Sequence, residues 1–291
     1  MTWKRVATAV VLIPCVVGLV LWGSTAVLAI GMALVILLAL FEYFALGDAI
    51  GHRAYRFWTA TCTLAFVYVQ WLAAIAPSYE LAGGLTFHRE IGRFLGTIPT
   101  LADVLFIFLL GVGVLTLSTK RPIVEALPAV GISSSGLILV ALPLTYAIRL
   151  HGAGTDGPKL MMFVLVITWV GDTAAYFVGR AIGKHKLAPV LSPKKTWEGT
   201  IASILGALLV AFAFARWLYV PLPHLLTMAA VGNAAGQAGD LLESAYKRSA
   251  GVKDSGSLLP GHGGVLDRID ALILAIPVVW YYWIWIYLPR R

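Results

Sequence analysis

Asp267 and Asp270 stand three residues apart, so a helix would put both carboxylates on one face. They close a dense loop that carries Lys247, Arg248, Lys253, Asp254 and His262, together with Gly251, Gly256, Gly261, Gly263, Gly264 and Pro260. Gly261, Gly263 and Gly264 can bring bare backbone amides close to phosphate oxygens. Carboxylates at helix ends beside phosphate-binding cations are how magnesium nucleotide sites are built. A plainer account makes Asp267 an N-cap and Asp270 a first-turn acid, both stabilising a helix start. That account leaves the neighbouring lysines, arginine and glycines unexplained. His262 is ambiguous, because a loop histidine beside glycines can simply hydrogen-bond the turn.

The segment before this loop has its own pattern. Asn233, Gln237, Asp240 and Ser244 follow i, i+4, i+7 and i+11, one face of a helix. A polar stripe on a membrane helix must face the bundle interior or water. Asn and Gln can serve as interhelical glue alone, whereas a carboxylate in the same stripe points to a cation or substrate site. Gly232, Gly236 and Gly239 leave room for close helix approach. Asp172, within Gly171-Asp172-Thr173, is a second acid inside an apolar run and needs a protein, water or ion partner.

Upstream, Gly179-Arg180-Ala181-Ile182-Gly183-Lys184 resembles a P-loop but has three residues between its glycines where four are required, and His185 follows the lysine. Lys194 and Lys195 can be explained by topology alone, since basic loops stay cytoplasmic. Ser192-Pro193 nevertheless reads as a helix start, with Ser as N-cap and Pro at N1. The two lysines would then sit at an anion-binding helix end.

The elements that carry these groups are membrane spans. The 291 residues are 59% hydrophobic and only 12% charged, with a mean hydropathy of +0.86. That excludes a disordered chain, a coiled coil and an ordinary cytosolic enzyme. Nine apolar runs predict an all-α, polytopic membrane helix bundle, with spans at roughly 6–22, 24–46, 57–76, 101–118, 127–148, 159–179, 199–219, 222–243 and 268–288. The first run is read as a retained helix rather than a signal peptide, because the second starts almost at once. The fifth is the weakest, diluted by Gly131, Ser133, Ser134, Ser135 and Gly136, residues that also suit close packing.

With a cytoplasmic N-terminus, 15 of the 22 Lys and Arg residues fall on the cytoplasmic side. That bias sets the orientation and puts the 180–198 and 245–267 loops inside. A net charge of +8 is explained by topology and lipid headgroups, and no nucleic-acid partner is expected. Cys15 and Cys62 lie in apolar runs and read as small core residues. Residues 1–150 read as scaffold helices and 151–291 as the catalytic region.

Ser244-Ala245-Tyr246-Lys247-Arg248, Lys253-Asp254-Ser255-Gly256, Pro260-Gly261-His262-Gly263-Gly264 and Asp267-Arg268-Ile269-Asp270 resemble the signature of the phosphatidate cytidylyltransferase family. Gly171-Asp172-Thr173 and Ser192-Pro193-Lys194-Lys195-Thr196-Trp197-Glu198-Gly199 extend the resemblance across roughly 170–270. Tyr246 stands where the family pattern has an aliphatic residue or Phe. The resemblance implies CTP and phosphatidic acid as substrates, CDP-diacylglycerol and pyrophosphate as products, and a homodimer in a bacterial-type cytoplasmic membrane. It also implies a magnesium requirement, with Asp240 and Asp267 as metal ligands and Asp270 close by; whether a second cation binds stays open.

On that reading Lys247 and Lys253 join the two aspartates in catalysis, while Lys194, Lys195, Arg248, His262, Gly263 and Gly264 hold substrate phosphates. A phosphate monoester has its second pKa near 6 (about the value for phosphorylated side chains), so it attacks with little general-base help. Two rivals are a CTP-dependent polyprenol kinase and an ion-coupled transporter using Asp172 and Asp240. The kinase would need a base for its alcohol. The transporter would show paired interrupted helices in matching halves, which this sequence lacks.

Overall fold

The computed structural model describes residues 2–82, 99–258 and 263–288. Its first helices are α1 (Thr2–Trp22), α2 (Thr25–Ala49), α3 (Arg56–Ala82) and α4 (Leu101–Ser118). Then come α5 (Ala126–Ser135), a π-helical turn (Gly136–Ala141), α6 (Leu142–His151) and α7 (Gly157–Ile182). A hairpin of β1 (Lys186–Ala188) and β2 (Ser192–Thr196) leads into α8 (Trp197–Leu218), α9 (Leu222–Ser249) and α10 (Leu266–Tyr282).

Each of the nine expected spans falls on helix. Seven helical segments among the described residues are long and apolar enough to cross a membrane: 25–49, 56–75, 101–118, 123–151, 154–182, 197–218 and 266–287. α1 adds a shorter apolar stretch, Val10–Trp22. α9 is longer than any of the seven except two, at 28 residues, but the polar stripe with Asn233, Gln237 and Asp240 lowers its hydropathy. The protein is a polytopic membrane helix bundle.

Local chemistry starts the helices where they start. Ser24 caps α2 by accepting from the Val27 amide, and Thr100 and Asp103 form a reciprocal capping box on α4. α9 opens with Pro223 in its first turn, where a missing N–H costs nothing. The first half of α7 is buried nearly all round, through Leu160, Phe163, Val164 and Ile167, and forms the centre of the bundle. Its second half, carrying Asp172, is more open.

The weak fifth span is a helix interrupted by the π turn. Its small residues serve packing: a Cβ on Gly136 would come within 2.9 Å of Leu40 and 3.1 Å of Phe44 on α2. Ser133 Oγ accepts from the Tyr55 amide at 2.7 Å, and Ser135 Oγ pairs with the Tyr43 hydroxyl at 2.8 Å.

Two expectations are overturned. Cys15, read as a core residue, is exposed, whereas Cys62 is buried. Ser192-Pro193 does not start a helix; both residues lie in β2, with Lys186 opposite Thr196 and Ala188 opposite Ser192. The cap is Thr196, whose Oγ1 accepts from the Gly199 amide at 3.2 Å. A two-stranded hairpin has free edges, so Pro193, which has no N–H, is tolerated in the strand. Lys194 and Lys195 therefore project from a strand, in the two positions directly before the Thr196 cap of α8.

Candidate active site

In lipid, helices associate through close packing rather than through the hydrophobic effect. The glycines of α9 provide that packing against α10. A Cβ on Gly239 would lie 2.5 Å from the Asp270 carbonyl oxygen, and one on Gly232 would lie 2.8 Å from Val279. The backbones therefore meet beside Asp240 and Asp270. Asn233 and Gln237, on the same stripe, face α7 and α8. Asn233 Nδ2 donates to the Ile167 carbonyl at 3.2 Å. Its Oδ1 accepts from Ser203 Oγ at 3.0 Å and from Gln237 Nε2 at 2.9 Å. Asn233 is interhelical glue, with Gly171 making room for it, while Gln237 bonds α8 and also reaches the cavity beyond.

Past them the stripe opens into a cavity of about 280 Å³. α7 contributes Asp172 and Tyr176, β2 contributes Lys194 and Lys195, and α9 contributes Gln237 and Asp240. Lys195 Nζ lies 2.6 Å from Asp240 Oδ2, an ion pair that is off the line of a hydrogen bond. Asp270 lies within electrostatic range of Asp240, Glu243 and Asp172. The hairpin that delivers the lysines is held at its base. Trp197 N donates to the His185 carbonyl at 2.9 Å, and His185 Nδ1 pairs with Glu198 at 2.7 Å. Gly183 and Gly199 leave space for the buried Thr196 side chain; a Cβ on Gly183 would sit 2.7 Å from its Oγ1.

A second polar network adjoins the first. Lys247 lies past residue 243, where the expected span ends. Its Nζ is 2.6 Å from Asp267 Oδ1 and 2.5 Å from Glu243 Oε2. Burial works against the Lys247 charge, but its hydrogen bond to Asp267 and its ion pair with Glu243 outweigh it and hold the pKa above the ordinary lysine value. Asp267 Oδ2 accepts from the Ser255 amide (3.0 Å), the Ser255 hydroxyl (3.0 Å) and the Gly264 amide (2.8 Å). Glu42 arrives from α2: its carboxylate accepts from Val265 N at 2.9 Å, Leu266 N at 2.8 Å and Ser255 Oγ at 3.0 Å. Glu42, not Asp267, thus covers the amides at the start of α10. Gly263 holds a positive φ of 82° in the turn that aims Gly264 at Asp267.

The structure thus brings Asp240, Lys194 and Lys195 into one cavity with Asp172, and gathers Asp267, Lys247 and Gly264 in the network beside it. Asp240 is paired with Lys195, and Asp267 with Lys247. Arg248 spans the hairpin and the loop, donating to the Leu191 carbonyl at 3.2 Å and the Val252 carbonyl at 3.0 Å. Lys253 is exposed. His262 lies outside the described residues.

Among the described residues no three His, Cys, Asp or Glu side chains stand close enough to cage a metal ion. Two participants escaped the sequence reading. Glu42 sits in the apolar run Leu38-Ala39-Leu40-Phe41-Glu42-Tyr43-Phe44, where an unpaired acid in a span was the available signal. Glu243, 1% exposed, sits one turn before Lys247.

Fold and site together define an integral membrane protein with a small cavity lined by both lysines and aspartates. The chain belongs to the Cytidylyltransferase family, whose sequence profile matches residues 3–286. It is similar to the phosphatidate cytidylyltransferase of Haemophilus influenzae, at 45% identity over 138 residues, 45% of this chain and 47% of that one. It is similar also to the phosphatidate cytidylyltransferase of Bacillus subtilis, at 39% identity over 154 residues, 52% of this chain and 57% of that one. The chain spans about half the length of the curated relatives it matches.

Proposed function

We propose that this protein transfers the cytidylyl group of CTP to phosphatidic acid, giving CDP-diacylglycerol and pyrophosphate. The observation that carries the reading is the cavity in which Lys194 and Lys195 face Asp172 and Asp240 at one end of the bundle, in a chain of the Cytidylyltransferase family. A phosphatidate oxygen attacks the α-phosphorus of CTP, the bond from that phosphorus to the bridging oxygen breaks, and pyrophosphate leaves with the electron pair. The obstacle is electrostatic, since two polyanions must meet. Lys194 and Lys195 offset that charge and hold the phosphates in line. Lys253, which is exposed, is a further phosphate contact on this reading, whereas the Gly264 amide is already committed to Asp267. Lys247 and Arg248 hold the loop in shape.

Magnesium fits the donor chemistry. Nucleotide-bound magnesium takes one or two carboxylates and completes its shell with phosphate oxygens and water. Asp240 and Asp270 would hold it, with Asp172 nearby. Asp267 would join only by giving up the hydrogen bonds that occupy both its oxygens. When bound, the ion supplies positive charge that neutralises the phosphates in the transition state.

The test is full-length protein in lipid nanodiscs with CTP, magnesium and either phosphatidic acid or a polyprenol. Pyrophosphate with a cytidine-bearing lipid is expected for phosphatidic acid alone. A phosphorylated polyprenol and CDP would overturn the reading in favour of a kinase.

The proposal includes a homodimer and a cytoplasmic site in an inner membrane. Chemical cross-linking in membranes should trap a species of twice the chain's mass. Cysteines introduced at Lys186 and Ser257 should resist an impermeant thiol reagent applied from outside, and ready labelling would reverse the orientation.

A further inference from the structure

Arg53, Arg56 and Arg121 belong to the basic segments that orient the chain, and topology asks no more of them than charge. In the fold they converge. Arg53 and Arg56 come from the α2–α3 connection and Arg121 from the segment after α4, yet all three line one cavity of about 1080 Å³. Its apolar wall is built by Phe57, Trp58 and Thr61 on the first turns of α3 and by Gly111, Val114 and Leu115 on the last turns of α4. Asp48 is the one acid among its lining residues, so the lining is net positive.

Two of the arginines are held in place, while Arg53 is exposed. Arg121 Nη1 donates to the Arg53 carbonyl at 2.6 Å, and its guanidinium lies over the Tyr55 ring, 5.1 Å from the centroid. A carbonyl and a ring orient a guanidinium without neutralising it. Arg56 is paired with Asp48. A Cβ on Gly111 would lie 2.1 Å from the Trp58 indole, so this glycine lets the ring lie against α4. There Trp58 Nε1 donates to the Phe108 carbonyl at 3.0 Å.

The wall runs on to the outer surface of the bundle, where Phe57 is 86% exposed and Val114 64%. The cavity opens at the same end of the bundle as the candidate active site. Glu42 on α2 holds Val265 and Leu266, and Tyr43 stacks edge-on with Tyr246 at 5.4 Å. None of the three arginines lines the Asp240 cavity.

We propose that this cavity binds an anionic phospholipid that is not turned over. Its headgroup phosphate sits on Arg53 and Arg121, and an acyl chain runs along Phe57, Val114 and Leu115 into the bilayer. A cationic floor at the end of two spans, joined to an apolar wall that faces lipid, matches a phosphate ester with a long tail. Arginine suits the headgroup because its planar fork takes two phosphate oxygens at once.

The experiment uses full-length protein in phosphatidylcholine nanodiscs containing photoactivatable phosphatidylglycerol, with cross-links mapped by peptide. Cross-links are expected on peptides covering 53–61 and 111–121. The double variant Arg53→Gln/Arg121→Gln should reduce them about 10-fold, the loss of one charge-assisted hydrogen bond or more. Arg53→Lys/Arg121→Lys should restore part of the labelling by restoring charge. Lys194→Ala, in the other cavity, should leave the labelling unchanged, so failure of the proposed reaction and failure of this site are separable. Equal labelling in the Gln variant, or cross-links that map elsewhere, would overturn the proposal. So would full displacement by millimolar glycerol phosphate, which would make the site one for soluble phosphate esters.

Discussion

Asp240 and Asp267 lie on neighbouring helices, each beside one lysine, but their surroundings differ. Asp240 keeps an ion pair with Lys195 in a cavity shared with Lys194 and Asp172. Asp267 has both oxygens committed, one to Lys247 and the other to Ser255 and Gly264. A carboxylate that faces a cavity with one replaceable partner can exchange that partner for a phosphate-bound cation. A carboxylate that accepts from two amides, a hydroxyl and an ammonium holds a loop shut, and releasing it costs several of those bonds together. Burial sharpens the contrast, because the Asp267 side chain is 6% exposed and that of Asp240 33%, so an unmet donor around Asp267 has no water to turn to.

The largest expected effect tests the open side of this comparison. Asp240→Asn should lower turnover about 100-fold or more, the scale of losing a key electrostatic group, while the melting temperature stays near wild type. Pyrophosphate release and thermal unfolding, measured on one preparation, check both halves. Asp267→Asn should act first on stability, by about 1–3 kcal/mol, because an amide cannot accept from Lys247, Ser255 and Gly264 together while Lys247 keeps Glu243 as its counter-charge. Well below its melting point it should retain more turnover than Asp240→Asn. A variant that melts like wild type yet is inactive would break the comparison and make Asp267 a ligand.

Lys194→Ala and Lys195→Ala should each raise the KM for CTP about 10-fold, the value of one charge-assisted hydrogen bond. Unchanged kinetics in both would leave them as topology signals. Glu42→Gln should cost about 1–3 kcal/mol, since an amide cannot satisfy all three donors that the carboxylate serves. Faster amide exchange at Val265 and Leu266 is its signature. The smallest effect belongs to Asn233→Leu, about 0.6–2 kcal/mol of stability, with Gln237 and Ser203 losing their shared acceptor.

Helix content was legible because apolar runs of span length have few alternatives. All nine runs are helical, including the fifth, where Gly136 and Ser135 fit against α2 as their size suggested. The roles within the polar stripe were legible only in part. Asn233 and Gln237 were open between glue and site; partners on α7 and α8 make Asn233 glue, while Gln237 both bonds Asn233 and lines the cavity. Ser192-Pro193 misled because N-cap chemistry reports local preference, while the pairing of β2 with β1 depends on a strand earlier in the chain. Glu42 belongs to the half read as scaffold, and no motif links it to a loop more than 200 residues later.

By itself the sequence determined that this chain crosses a membrane many times and that its polar groups concentrate in the C-terminal half. It also carried the signature of its family in the spacing of Lys247, Asp254, Gly264, Asp267 and Asp270. Those are properties of hydropathy and local order, which the chain carries wherever it folds. Which lysine faces which aspartate was decided only by tertiary structure. Gly239 lets α9 meet the backbone of α10 at Asp270, a hairpin rather than a helix end presents Lys195 to Asp240, and α2 brings Glu42 to the start of α10. A side chain's electrostatic role depends on distances of a few ångströms between remote segments, and residue order alone does not encode those distances.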